Sequence, residues 1–349
     1  MNIKIGNKFI GPNHPVFFIA EAGVNHNGSL KLGKQLIDAA VDAGADAVKF
    51  QTFKADELNT FSAPKSSYHI ETTGSDSKQT WFDLLRTQEI DYEMHRELIS
   101  YCKKSGIIFL STPYGHQSAD LLESLNIPAY KIASTDTNNF PLLEYIAKKG
   151  KPMILSTAFT NFEEIIEAVS VVRNTGLTEI AVLQCTGNYP SKIEDSNLNI
   201  IETFKDKLNC IVGYSDHTPY LINPIAATAL GAKIYEKHFT IDRNFEGPDH
   251  RMSLEPHELK ETVSCIRKTE KSLGSFVKKV LPDEEENRIK LRKSVVSIKD
   301  IDAGEKIVSD MLAIKRPGTG IPPKDIVSII GKKAKQFIPK DQPINIEDI

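Results

Sequence analysis

IVGYSDHTPYLINPIAATALGAKIYEKHFT, residues 211–240, reads as an apolar strand, a helical segment and a second apolar strand. Each strand is the short apolar run that a parallel strand covered on both faces requires. Each also ends in residues capable of chemistry, Ser215 and His217 on the first, Glu236 and His238 on the second. The pattern recurs upstream in VFFIAEAGVN (16–25), DAVKFQTF (46–53), IIFLSTP (107–113), AYKIAST (129–135), KPMILSTAF (151–159) and IAVLQCT (180–186). Their ends carry Glu21, Asn25, Lys49, Gln51, Thr112, Lys131, Ser134, Ser156 and Thr157. Function is expected at one rim.

Helical patterns separate the strands. Ser29 is placed to cap LKLGKQLIDAAVDA before Gly44 stops it, and Asp91 to cap YEMHRELISYCKKS before Gly106 does the same. Six more segments follow, roughly 117–125, 141–149, 163–175, 198–207, 219–230 and 256–273. Eight strand–helix units in about 250 residues match the size of a TIM barrel, whose active sites lie at the C-terminal strand ends. A doubly wound open sheet alternates in the same way. The count of eight, and the lack of a Gly-rich turn after the first strand, favour closure. The expected fold class is α/β, a (β/α)8 barrel followed by a small β-rich domain.

With 349 residues, 40% hydrophobic and 26% charged, the chain is long enough for a large core. Its 43 basic and 46 acidic side chains give a net charge of -3, so no chain-wide field favours nucleic acid or an anionic membrane. The N-terminal MNIKIGNKFIGPNHP lacks the apolar core of a signal peptide, and no apolar run is long enough to span a bilayer. A cytoplasmic location is expected. Cys102, Cys185, Cys210 and Cys265 show no paired spacing and read as reduced thiols. Cys185 faces the rim, but the sequence offers it no evident histidine partner.

Residues 1–15, with a turn signal at Gly6-Asn7, are expected to form a hairpin closing the barrel bottom, and 16–274 the barrel. The polar, proline-containing stretch 275–290 has linker composition. Residues 291–349, rich in short β runs and Gly/Pro turns, are expected to have little core of their own and to pack against a barrel, their own or a partner's. The long excursion 54–79 after the second barrel strand reads as a substrate loop.

At the rim, His217 and His238 end neighbouring strands of a closed barrel. Together they suit a divalent ion such as Mn2+, Co2+ or Zn2+ and would leave positions open for substrate. Either could instead serve a local hydrogen bond. Lys49 and Lys131 sit in apolar runs, where an uncompensated ammonium is costly, so each needs an anion from protein or substrate. Thr112, Ser134, Ser156 and Ser215 offer hydroxyls for a phosphate or carboxylate. Glu21, Glu236 and Asp249 are acids suited to base chemistry or to a sugar hydroxyl. The combination suggests carbon–carbon bond chemistry between a phosphorylated acid and a sugar.

Through AEAGVNHNGSL, AVKFQTF, LSTP, ASTDTNNFPLL, GYSDHT, IYEKHFT, GPDHRMSLEP and IKRPGTG, the chain resembles the N-acetylneuraminate synthase family of sialic acid synthases, nearly end to end. The resemblance implies that 291–349 is the family's antifreeze-like domain, which in a domain-swapped homodimer reaches the partner's barrel. It implies condensation of phosphoenolpyruvate with N-acetylmannosamine, or a related N-acyl amino sugar, and water, with C–O cleavage and phosphate release. Lys49, Thr112, Lys131, Ser134, Ser156 and Ser215 would hold phosphoenolpyruvate. His217 and His238 would bind Mn2+, with Mg2+ or Co2+ as alternatives. Glu21 would position the sugar or act on the added water, and Gln51, Tyr189, Glu236 and Asp249 would line the same space. Arg316, in KRPGTG, would meet the sugar's N-acyl end from the other subunit; without the resemblance it is an ordinary surface arginine.

Three departures from the family pattern stand out. The fifth strand ends STAF where STGM is usual, Gly187 takes a place that can hold a polar side chain, and Thr135-Asp136 replace Gly-Glu, which leaves the role of Asp136 open. The alternatives are a diacetamido hexose leading to legionaminic or pseudaminic acid, a Schiff-base aldolase using Lys49 or Lys131, and a sugar-binding protein that keeps the barrel as scaffold.

Overall fold

Continuous apolar runs shape the first unit, because successive strand residues point to opposite faces and both faces are covered. In the computed structural model, which describes residues 1–349, the chain divides into two units, Met1–Gly274 and Ser275–Ile349. The first opens with the hairpin β1 (Ile3–Ile5) and β2 (Lys8–Ile10), paired antiparallel. Eight parallel strands follow: β3 (Phe17–Gly23), β4 (Ala47–Thr52), β5 (Ile108–Pro113), β6 (Tyr130–Ile132), β7 (Met153–Ser156), β8 (Ile180–Cys185), β9 (Ile211–Asp216) and β10 (Ile234–His238).

Their order is β5-β4-β3-β10-β9-β8-β7-β6, the cyclic order of a TIM barrel with one seam, between β5 and β6, that carries no ladder. Closure is therefore nearly, not wholly, complete. The seam has a local cause: β6 is three residues long and follows Pro128, which has no N–H to donate.

Two apolar layers result. Phe17, Ile19, Ala47, Leu110, Ala129, Ile154, Ala181, Leu183, Ile211 and Ile234 fill the inside, together with Ile3, Ile5 and Ile10 of the hairpin. Their strand neighbours, such as Phe18, Val48, Phe109, Leu155, Val182, Tyr214 and Tyr235, face the surrounding helices. The inner set occupies the N-terminal half of each strand, and the hairpin isoleucines plug that end.

The helices begin and end where the capping chemistry places them. Ser29 Oγ accepts from Leu32 N–H and Gly44 closes Leu30–Ala43 at φ +80, a left-handed conformation glycine adopts without cost. Asp91 and Gly106 do the same for Tyr92–Ser105. The excursion 54–79 is not a bare loop; it contains the short helices Ala55–Leu58 and Ser67–Thr73.

The second unit departs from expectation twice. The stretch read as linker carries the helix Pro282–Leu291, started by Pro282 and by Glu284, whose carboxylate accepts from Leu281 N–H at 3.0 Å. Nor does the unit lack a core. Val295, Ile301, Ile307, Met311, Leu312, Ile321, Ile329, Ala334, Ile338 and Ile344 form one buried cluster. Around it, β11 (Ser294–Ser297) and β12 (Leu312–Lys315) pair antiparallel. Most of these residues come from turns and isolated bridges, so no periodic pattern announces them.

Candidate active site

The inward alternation that fills the lower barrel with Ile, Leu and Ala continues upward into polar residues. Two positions beyond Ile19, Ala47, Leu110, Ile154, Leu183 and Gly213 stand Glu21, Lys49, Thr112, Ser156, Cys185 and Ser215, and two beyond Ile234 stands Glu236. With Lys131, Gln51, His217 and His238 they converge on one cup at the C-terminal end of the sheet, and nearly all are buried.

At its floor, Lys49 Nζ lies 2.9 Å from Glu21 Oε2, 3.1 Å from Thr112 Oγ1 and 3.8 Å from Glu236 Oε2. Lys131 Nζ donates to Ser156 Oγ at 2.6 Å and lies 3.6 Å from Glu236 Oε1, which also accepts from Ser215 Oγ at 3.0 Å. Glu236 thus bridges both lysines. Gln51 Nε2 donates to Glu21 Oε1 at 3.2 Å. Ser134, half-buried, accepts the Ala158 N–H at 3.0 Å and ties the end of β6 to that of β7.

The imidazoles of His217 and His238 stand beside this floor with centroids 5.6 Å apart. His217 Nδ1 is 2.7 Å from the Thr186 carbonyl, which can only accept, so Nδ1 carries a proton and Nε2 is the nitrogen this bond leaves unused; against burial, Cys185 and the Thr186 carbonyl hold the imidazole above its ordinary value. Tyr189 covers His217 at 4.2 Å between ring centroids. His238 Nδ1 faces Asp249 Oδ2 at 3.8 Å. A Cβ on Gly23, at φ +52, would stand 3.3 Å from both Asp249 Oδ2 and Gln51 Nε2, so the loop acid is drawn into the cup with the strand residues. Arg316 lies in the second unit, exposed just after β12.

Burial pushes the Glu21 carboxyl up to about 7, against Lys49 and with help from Glu236. Burial acts on Glu236 in the same direction, but Lys131 and Lys49 outweigh it and hold Glu236 below its ordinary value. Two carboxylates around shared ammonium groups have been driven apart, one ionised and one poised near neutrality. Burial pulls Lys131 down despite Glu236. At Lys49 burial is overcome by Glu21 and Glu236, and its ammonium is held above the ordinary value. Asp249 is raised to about 6 by burial, with His217 and Lys49 opposing. Burial, then the neighbouring His217 and Lys49, keep His238 well below the ordinary imidazole value, so it is neutral.

Some features escape a one-dimensional reading. Cys185 does have a histidine neighbour, with Sγ 3.9 Å from His217 Nδ1, because two strand ends distant in sequence meet inside the barrel. Tyr68, from the excursion helix Ser67–Thr73, has a buried hydroxyl without a partner. With Ser67, Glu71, Tyr189, Pro190, Arg251 and Met252 it lines a cavity of about 360 Å3 that shares Tyr189 with the cup. Two of the family departures are one event: Phe159, 71% exposed at φ +64, lays its ring where a Gly187 Cβ would come within 2.0 Å. The bulky end of STAF requires the glycine opposite. Asp136 stays at the edge, raised by burial, and accepts from Asn139 at 3.0 Å.

Fold and cup together define a TIM-barrel protein whose reactive side chains gather at the C-terminal mouth. Residues 36–278 match the model of the NeuB family, and 292–349 that of the SAF domain. The chain is 44% identical over 328 residues to an N,N'-diacetyllegionaminic acid synthase of Campylobacter jejuni, covering 93% of this chain and 98% of that protein. It is 37% identical over 339 residues to the N-acetylneuraminate-9-phosphate synthase of Homo sapiens, covering 97% and 93%. A sialic acid synthetase from Leptospira borgpetersenii, solved with citrate, superposes with a TM-score of 0.72 at 35% identity, over 82% of this chain and 95% of that one. The chain belongs to the NeuB family. No helix in it is long and apolar enough to cross a membrane.

Proposed function

We propose that this protein is a sugar acid synthase that condenses phosphoenolpyruvate with the open-chain aldehyde of an N-acyl hexose, adds water and releases phosphate. C3 of the enol forms the new bond to the aldehyde carbon, water adds at C2, and the C2–O bond to phosphate breaks. One observation carries the reading: two buried lysines share the floor with Glu236, which bridges them, and with a Glu21 whose carboxyl is raised to about 7, so the two acids do not fully offset the two ammonium groups and positive charge is left for a small multivalent anion. Lys49, Lys131, Thr112, Ser134, Ser156 and Ser215 are the groups for its phosphate and carboxylate. In such a site positioning and charge neutralisation supply most of the rate.

Glu21 is the group for the added water, since a carboxyl near 7 accepts a proton at neutral pH. Gln51, Tyr189, Glu236 and Asp249 are placed to contact the acceptor. Three buried atoms here, His238 Nδ1, Glu236 Oε2 and Glu21 Oε2, lack hydrogen-bond partners, and the Thr186 bond leaves His217 Nε2 unused; this donor set fits a divalent cation such as Mn2+, with Mg2+ or Co2+ as alternatives. His217 and His238 would hold it. No cluster of three or more His, Cys, Asp and Glu side chains is preassembled there, so the cation would complete its shell from substrate or water. When bound, it would supply Lewis acidity toward the aldehyde oxygen. The reading includes a domain-swapped homodimer in which Arg316 meets the N-acyl end of a sugar bound in the partner's barrel.

Two acceptors remain in the proposal, N-acetylmannosamine and a diacetamido hexose. The second gains support from the higher identity to the legionaminic acid synthase and from the mixed polar and apolar cavity beside Tyr189. The test is phosphate release from phosphoenolpyruvate with N-acetylmannosamine, its 6-phosphate and two diacetamido hexoses, each with added manganese and with chelator. The acceptor should be the one sugar giving rapid, chelator-sensitive release. No phosphate from any of them would overturn the proposal.

A further inference from the structure

His217 and His238 point inward, so the residues before them, Asp216 and Lys237, must point outward. They stand directly opposite one another in the β9–β10 register. The outward side here is not solvent. It is the layer of Phe18, Val212, Tyr214 and Tyr235 beneath the helices, and Asp216 and Lys237 are 1% and 3% exposed within it. A buried ion pair adds little or nothing to stability compared with apolar residues of the same volume, so its presence asks for another explanation.

The connections of the pair give one. Lys237 Nζ lies 3.3 Å from Asp216 Oδ2 and also donates to the Thr218 carbonyl. Asp216 Oδ1 accepts from Thr218 N–H at 2.8 Å and from Thr218 Oγ1 at 2.9 Å, while Oδ2 accepts from Tyr235 OH at 2.5 Å. Asn223, in the helix Ile222–Ala229, closes the network with 3.1 Å to Thr218 Oγ1. The backbone of His217 is thereby held on both sides, at 216 and at 218. The side chain doing so from β10 is the immediate neighbour of His238. One polar clasp outside the barrel links the backbones that carry both imidazoles inside it.

We infer that Asp216 and Lys237 are positioning residues: their buried pair sets the relative placement of His217 and His238 and so the affinity of the site for a divalent cation. This rests on the reading that the two histidines hold such a cation. Groups that hold metal ligands in place from behind change metal affinity by about 10- to 100-fold when removed.

The experiment titrates Mn2+ into the full-length protein and follows free Mn2+ by electron paramagnetic resonance, with a thermal melt of every sample. In Asp216→Asn/Lys237→Met, which removes both charges, Mn2+ binding should weaken by about tenfold or more with the melting transition retained. Lys237→Arg should keep binding within about threefold, because it preserves charge and reach toward the carboxylate. Asp216→Glu keeps the charge but displaces the Thr218 turn, and should weaken binding while remaining folded. A folded double variant that binds Mn2+ as the parent does would overturn the inference. So would parent-like binding by Asp216→Glu if the double variant does not fold. If His217→Ala and the parent bind Mn2+ equally, it is the assignment of the histidines that fails.

Discussion

The two halves of the barrel interior are built by the same strands and the same alternation, yet they have opposite chemistry. Below, inward positions hold Ile, Leu, Ala and one Phe, sealed by the hairpin isoleucines. Two residues further along, the inward positions hold lysines, acids, hydroxyls and imidazoles. The lower half can supply stability because its side chains are apolar and close-packed. The upper half cannot, because every buried charge there must be offset by a partner. The barrel therefore separates holding the fold together from arranging charge, within a distance of one strand.

The largest effect should come from breaking the upper half. Lys131→Met removes one of the two ammonium groups from the floor and leaves Glu236 with Lys49 and Ser215 alone. Turnover in the phosphate-release assay should fall by about 100- to 1,000-fold, with little change in the thermal melt. A variant that keeps near-parent turnover would separate Lys131 from the chemistry.

The lower half should respond in the reverse manner. Leu183→Ala deletes a fully buried inner side chain and should cost about 3 kcal/mol in denaturant unfolding. Its kcat should stay within about twofold of the parent, since hydrophobic truncation below leaves the floor in place. A large loss of kcat without loss of stability would erase the division between the halves.

The pH dependence sharpens the comparison. Glu21 has a folded value near 7 against an ordinary 4.5, so folding takes up a proton between them. Stability should therefore be greatest below about 4.5 for this group, decline as pH rises toward 7, and level off above it. As a base, Glu21 should give a rate that rises through pH 7. In Glu21→Gln the rising limb should disappear and the decline in stability should flatten; an unchanged rate profile would assign the limb to another group.

The smallest effect belongs at the rim. Gly187→Asn should clash with the Phe159 ring and raise KM for the sugar by about threefold to tenfold, and Phe159→Met should relieve it in the double variant, as coupled neighbours do. Additive effects would mean the two positions act independently.

Much of this division was legible in the sequence, because a period of two and a polar strand end are local signals. Glu21, Lys49, Lys131, His217 and His238 could each be placed on the inner face by counting from an apolar neighbour. What stayed hidden depends on contacts between distant segments. Asp249 was named as a candidate acid, but not its approach to His238 from the loop; Cys185 meets His217 across two strand ends, and Tyr68 arrives on a helix in an excursion that gave no helical period. Asp216 and Lys237 were in plain view beside the histidines, but only the β9–β10 register makes them a pair. The core of the second unit was missed for the related reason that its apolar residues sit in turns.

The most direct measurement uses phosphoenolpyruvate labelled with oxygen-18 in the bridge between C2 and phosphorus, incubated with the accepted sugar and manganese. A floor that grips the phosphate while C3 attacks and water adds at C2 must break the bond from carbon to the bridging oxygen. The label should therefore leave with inorganic phosphate. Label retained in the sugar acid would mean cleavage on the phosphorus side, and would contradict the roles assigned to Lys49, Lys131 and Glu21 together.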